Sequence, residues 1–157
     1  MGLTIRAYSG CKPVTVEFDD DDEPITPRTV RPHVNRDFPT RQNGIVHNAW
    51  YQYEEMVSFG NTYGGHGDFR RELAELGGYP PEDAWEKRVT VGPFFELVNF
   101  ADNEGTFGPE TCAKLAADFA AHEPRARQML EGEHMRFYRK WHQALTLASA
   151  GGMLTFR

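Results

Sequence analysis

Apolar and polar positions alternate at the start of the chain. Leu3, Ile5 and Ala7 alternate with Thr4, Arg6 and Tyr8, and Val14, Val16 and Phe18 alternate with Thr15, Glu17 and Asp19. A period of two predicts two half-buried strands, and the turn-rich link over residues 9–13 predicts that they form an antiparallel hairpin. The alternation then stops. Pro24, Pro27, Pro32 and Pro39 each remove a backbone donor and fix φ, so an irregular connection is expected over about residues 24–43. Residues 45–59 carry Trp50, Tyr51, Tyr53 and Met56, and read as a strand that runs into a short helix.

From residue 68 the period lengthens to that of helices. Phe69, Leu73 and Leu76 recur at helical spacing behind Asp68, a capping residue, and Gly77 and Gly78 end the run. Short helices follow over residues 81–87 and 93–101. The next helix starts at Pro109 with Glu110 in its first turn, both favourable there. It carries the stripe Cys112, Leu115, Ala116 and Phe119. Pro124 marks a new helix, with Leu130, His134, Phe137, Trp141, Leu145 and Ala148 on one face. Met153, Leu154 and Phe156 are candidates for a final strand. The expected architecture is α+β in a single domain: a small antiparallel sheet, made from the N-terminal hairpin with the last strand as a candidate member, packed on a C-terminal bundle of four or five helices.

Composition narrows the function classes. A chain of 157 residues can bury roughly 70% of its unfolded surface, so it can build a core without metals or disulfides. Its formal net charge of -6 argues against nucleic acid as a partner, which needs a basic footprint. The local cations Arg125, Arg127, Arg136, Arg139 and Lys140 are interleaved with Glu123, Glu131 and Glu133, and read as a solvated helix face. The acidic run over residues 19–23 lacks the spacing of a calcium loop and reads as a solvated loop. The two cysteines, Cys11 and Cys112, make neither a disulfide framework nor a paired metal motif. No apolar run spans a bilayer, and the first residues lack a signal pattern. A cytoplasmic location is expected, with no membrane partner and no cofactor.

Two loops can carry chemistry. In residues 58–71, Gly60, Gly64, Gly65 and Gly67 precede a helix that carries Arg70 and Arg71 in its first turn. Glycines allow close approach of a ligand, a helix start offers N–H groups, and arginines clamp carboxylates or phosphates. Tyr63, Gly65, His66, Arg70 and Arg71 are therefore the candidate ligand-binding residues, for a small anionic ligand. The second loop holds Asp102, Glu104, Gly105 and Gly108. Its spacing fails the calcium-binding pattern, but Asp102 or Glu104 can serve as the acid–base partner of His66 if the fold brings them together. No histidine pair has metal-ligand spacing, so no metal site is expected. Cys112 lies on an apolar stripe and reads as a core residue.

The stretch from Tyr63, Gly64 and Gly65 to Arg70, Arg71, Glu72, Leu73 and Ala74, taken with residues 93–109 and the helix bearing Lys114, Leu115, Ala116, Asp118 and Phe119, resembles a family of small, functionally uncharacterised bacterial and phage proteins. The resemblance covers residues 58–156 and implies no catalytic residue. The leading functional expectation is a binding or regulatory module that recognises a small anionic ligand or a protein partner. One alternative is a small hydrolase or transferase using His66 with Asp102 or Glu104. Another is a structural or oligomeric component; the sequence leaves the oligomeric state open.

Overall fold

The computed structural model describes residues 2–100 and 104–157. Its elements are β1 (Gly2–Tyr8), β2 (Lys12–Pro13), β3 (Thr29–Val30), β4 (Tyr51–Gln52), β5 (Met56–Thr62), α1 (Tyr63–Gly77), α2 (Pro81–Trp85), α3 (Phe95–Val98), β6 (Gly105–Phe107), α4 (Pro109–Met129), α5 (Gly132–Ser149) and β7 (Met153–Phe156). The fold class is α+β. A four-stranded antiparallel sheet runs in the order β5-β1-β7-β6, and a three-stranded one in the order β2-β4-β3.

The alternation in β1 divides the molecule. Leu3, Ile5 and Ala7 face the helices, and join Phe107, Leu154 and Phe156 in the main core. The opposite face places Tyr8 and Met153 against Val30 and Tyr51 of the small sheet. The irregular segment is pinned to this side, where the Thr106 hydroxyl donates to the His33 carbonyl at 2.6 Å.

The N-terminal hairpin does not form. β1 pairs with β5, from Leu3 opposite Asn61 to Tyr8 opposite Met56, and with β7, from Ile5 opposite Phe156 to Tyr8 opposite Met153. Within residues 14–18 only Phe18 makes a bridge, to Pro24. The distant partners flank β1 on both edges and bury Leu3, Ile5, Ala7 and Tyr8, which a two-stranded ribbon cannot do. The predicted last strand is present as β7. The run over residues 45–59 contains β4 and most of β5, and no helix.

The predicted helix break at Pro124 is also displaced. α4 continues through Pro124 to Met129. Pro124 and Ala120 are both exposed, so the carbonyl that loses its donor faces water. The chain turns instead at Gly132, whose φ of 52° suits glycine. α4 and α5 then form a helical hairpin packed on the sheet through Trp141, Leu145 and Ala148.

Candidate functional site

The glycine-rich segment is an elbow, with no loop between strand and helix. β5 ends at Thr62 and α1 begins at Tyr63. Thr62 is the N-cap, and its hydroxyl accepts from the Gly65 amide at 3.0 Å. Asp68 therefore does not cap the helix; it pairs with Arg71 at 3.0 Å. Gly65 makes a close approach, since a Cβ there would lie 2.3 Å from the Asn61 side-chain oxygen and that side chain would have to move. Gly64 and Gly67 meet no such demand, since an added Cβ would find nothing within 4 Å. They leave the first turn bare, at a cost of up to about 1 kcal/mol each in helix propensity.

Between this elbow and α5 lies a cleft of about 360 Å³. Phe69 and Phe137 supply apolar wall, with ring centroids 4.9 Å apart. Asn61, Asp68, Glu72, Glu133, His134 and Lys140 supply polar wall. The carboxylates are engaged: Asp68 by Arg71 at 3.0 Å, Glu72 by His134 Nδ1 at 2.5 Å, and Glu133 by Arg136 at 2.6 Å. Among the described residues, Lys140 has no carboxylate within 4.0 Å.

The candidate ligand residues part company. Gly65 lines the cleft. Tyr63 is 39% exposed at the helix start. Arg70 is buried at 8% exposure, and its Nε and Nη2 donate to the Val98 carbonyl at 2.8 and 2.5 Å. Trp85 Nε1 donates to the same oxygen at 3.1 Å. Arg70 thus caps the C-terminal end of α3, where a cation suits the exposed carbonyls. Burial first, and then Arg71, lower its pKa to about 10. Arg71 lies across Trp85, 5.6 Å from the ring centroid. The two arginines share that indole, and neither lines the cleft.

His66 faces the core. It is 5% exposed, stacked at 6.1 Å on Trp141 and 6.1 Å from Phe156. Neither ring nitrogen has a hydrogen-bond partner among the described residues. Burial, reinforced by the Arg70 charge, lowers its pKa to about 4, so the ring is neutral at pH 7. Glu104 lines a different cleft, with His33, Asn35, Asp37 and His47, and His66 lines neither one. Asp102 lies outside the described residues.

The cleft also takes in His134, expected on the apolar face of the last helix, and Lys140, expected on a solvated helix face. The available signal was a half-turn offset. The buried stripe of α5 is Met135, Tyr138, Trp141, Ala144, Leu145 and Ala148, and His134 and Lys140 beside it line the cleft against α1. Among the described residues, no group of three or more His, Cys, Asp or Glu side chains is arranged to hold a metal. Both cysteines are free, and burial raises the thiol pKa of each. No described helix is long and apolar enough to cross a membrane.

No protein-family model, curated protein or solved structure matches the chain.

Proposed function

We propose that the chain is a non-enzymatic binding module whose elbow cleft holds a carboxylate-bearing ligand. The observation that carries this reading is Lys140, a cation without a carboxylate partner among the described residues, in a cleft with the aromatic walls Phe69 and Phe137. An apolar wall with a few convergent polar groups is the usual form of a ligand site. The anionic ligand expected from the sequence is kept, while its recognising cation moves from Arg70 and Arg71 to Lys140. Asn61 and His134 add hydrogen-bonding groups, and the bare turn at Gly64 and Gly67 allows close approach.

A binding role is favoured over an acid–base role because the candidate histidine, His66, is buried, neutral at pH 7 and turned away from both clefts. Phenylacetate, a carboxylate with an aromatic ring, is a suitable probe. Followed by amide NMR, it should perturb Asn61, Gly65 and Phe137, and Lys140→Ala should weaken binding about tenfold, the scale of one charge-assisted hydrogen bond. Equal binding by Lys140→Ala, or shifts confined to other surfaces, would remove the reading.

A further inference from the structure

We infer that the outer edge of β5 accepts an extended, acidic peptide segment of a partner protein as a fifth strand of the sheet. The inference rests on the elbow cleft being a binding site, because that cleft would receive one of the segment's side chains.

The backbone pattern supplies the first argument. Thr4 exchanges both of its bonds with Arg157, at 2.6 and 2.9 Å. Alternate residues of an antiparallel strand direct their backbone groups to opposite sides. Leu3, Ile5 and Ala7 therefore bond toward β5, opposite Asn61, Phe59 and Val57. On β5, Met56, Ser58 and Gly60 send their N–H and C=O groups outward. β5 stands at the end of the strand order, and no described strand pairs with that side.

A bulge, with Ser9 opposite both Glu54 and Glu55, stands just before β5, but along β5 itself the edge lacks the usual protection. Natural edge strands are blunted by charge, proline, bulges or short length. β5 has 7 residues, MVSFGNT, with no charged residue and no proline. Such an edge can template an added strand, with main-chain bonds giving affinity and side-chain pockets giving specificity.

Pockets lie at both ends of the strand on its helix side. The elbow cleft includes Gly60 and Asn61. A wider cleft of about 660 Å³ includes Val57, Arg139, His142 and Leu147. Val57 and Asn61 are separated by roughly 14 Å, taking about 3.4 Å per residue. A strand laid along β5 would place two side chains four residues apart in the two clefts.

Charge selects the occupant. On α5, Lys140 lines the elbow cleft, Arg139 lines the wider one and exposed Arg136 belongs to the same helix, and only Arg136 has a carboxylate within 4.0 Å among the described residues. Glu133 stands at one end and Glu54 and Glu55 at the other. An acidic residue therefore fits the middle of the added strand, between two apolar ones. A second copy fits poorly. A twofold axis through the middle of β5 would bring the two sets of Arg136, Arg139 and Lys140 together.

The test is selection from a displayed library of random nonapeptides against the intact protein. Enriched sequences should carry two apolar residues four apart with an acid between them. An N-methyl scan of one synthetic winner should then alternate: methylation at every second residue should weaken binding at least tenfold, and the residues between should tolerate it. Ser58→Pro removes an outward N–H and follows an already extended Val57, so it should fold. It should lose the peptide and keep phenylacetate, whereas Lys140→Ala should weaken both. Enrichment no better than on a blank surface, a scan without alternation, or full peptide binding by a folded Ser58→Pro would overturn the inference. So would a dimer, seen by light scattering, that the peptide dissociates. Loss of phenylacetate binding by the parent protein would instead count against the cleft itself.

Discussion

The two faces of the four-stranded sheet are held by different means. On the helix face aromatic rings touch in series: Phe100 and Phe107 at 5.0 Å, Phe107 and Phe156 at 4.9 Å, Phe156 and Trp141 at 6.0 Å. Each such pair contributes about 0.5–1.5 kcal/mol beyond its buried area. On the other face the buried apolar cluster among the described residues is small: Tyr8, Val30, Tyr51 and Met153, with Cys11, Ile45, Ala49 and Tyr53 partly buried against it. The covering chain there has strands of 2 residues and is tied down at scattered points, such as Asn35 Nδ2 to the Glu104 carbonyl at 2.9 Å and Phe38 against Phe100 at 4.7 Å. Global stability belongs to the first face. The second face should open locally, at lower free energy, without unfolding the rest.

Trp141→Ala should have the largest effect. It empties a fully buried site where Phe59, Phe69, Phe137 and Phe156 converge, and should cost about 3–5 kcal/mol. Urea denaturation should show a lowered midpoint, and a loss below about 1 kcal/mol would place the core elsewhere. His66 tests the same face by pH. The unfolded ring takes a proton near pH 6.5, and the folded ring resists until about pH 4. The unfolded state binds more protons in that window, so stability falls as pH falls across it, by roughly 3 kcal/mol in total. His66→Leu should flatten the dependence and leave two fewer unsatisfied buried nitrogens. An unchanged slope would show that the ring is not desolvated. Tyr51→Phe is the mildest change. The hydroxyl accepts from the Val46 amide at 3.0 Å, so its loss should cost about 1 kcal/mol. Hydrogen exchange should quicken around residues 29–53 and stay unchanged in β7. Equal acceleration in both would erase the distinction between the faces.

The helix face was the legible one. Its period of 3.6 is local, and Trp141, Leu145 and Ala148 announced it. The proline at 124 misled because sequence shows the missing donor but not that the freed carbonyl faces solvent. The stripe from Phe119 to Ala126 and Leu130 does continue across it. The sheet was legible as strands but not as pairs. Val16 alternates as well as Val57 does, and only tertiary burial selects β5 as the partner of β1. In the candidate site, Gly65 was readable because its type signals close approach. The fate of Arg70 was not, because its partner is a backbone oxygen 28 positions away.

That oxygen has a consequence for mutational mapping. The Val98 carbonyl takes bonds from Arg70 and Trp85, and so ties α1, α2 and α3 together. An alanine scan would pass over this junction, because truncating Val98 leaves its oxygen in place. The damage would appear only at Arg70 and Trp85, two positions 15 apart in sequence whose side chains also touch each other. Their common origin would emerge from the double variant, in which the second loss falls short of additive.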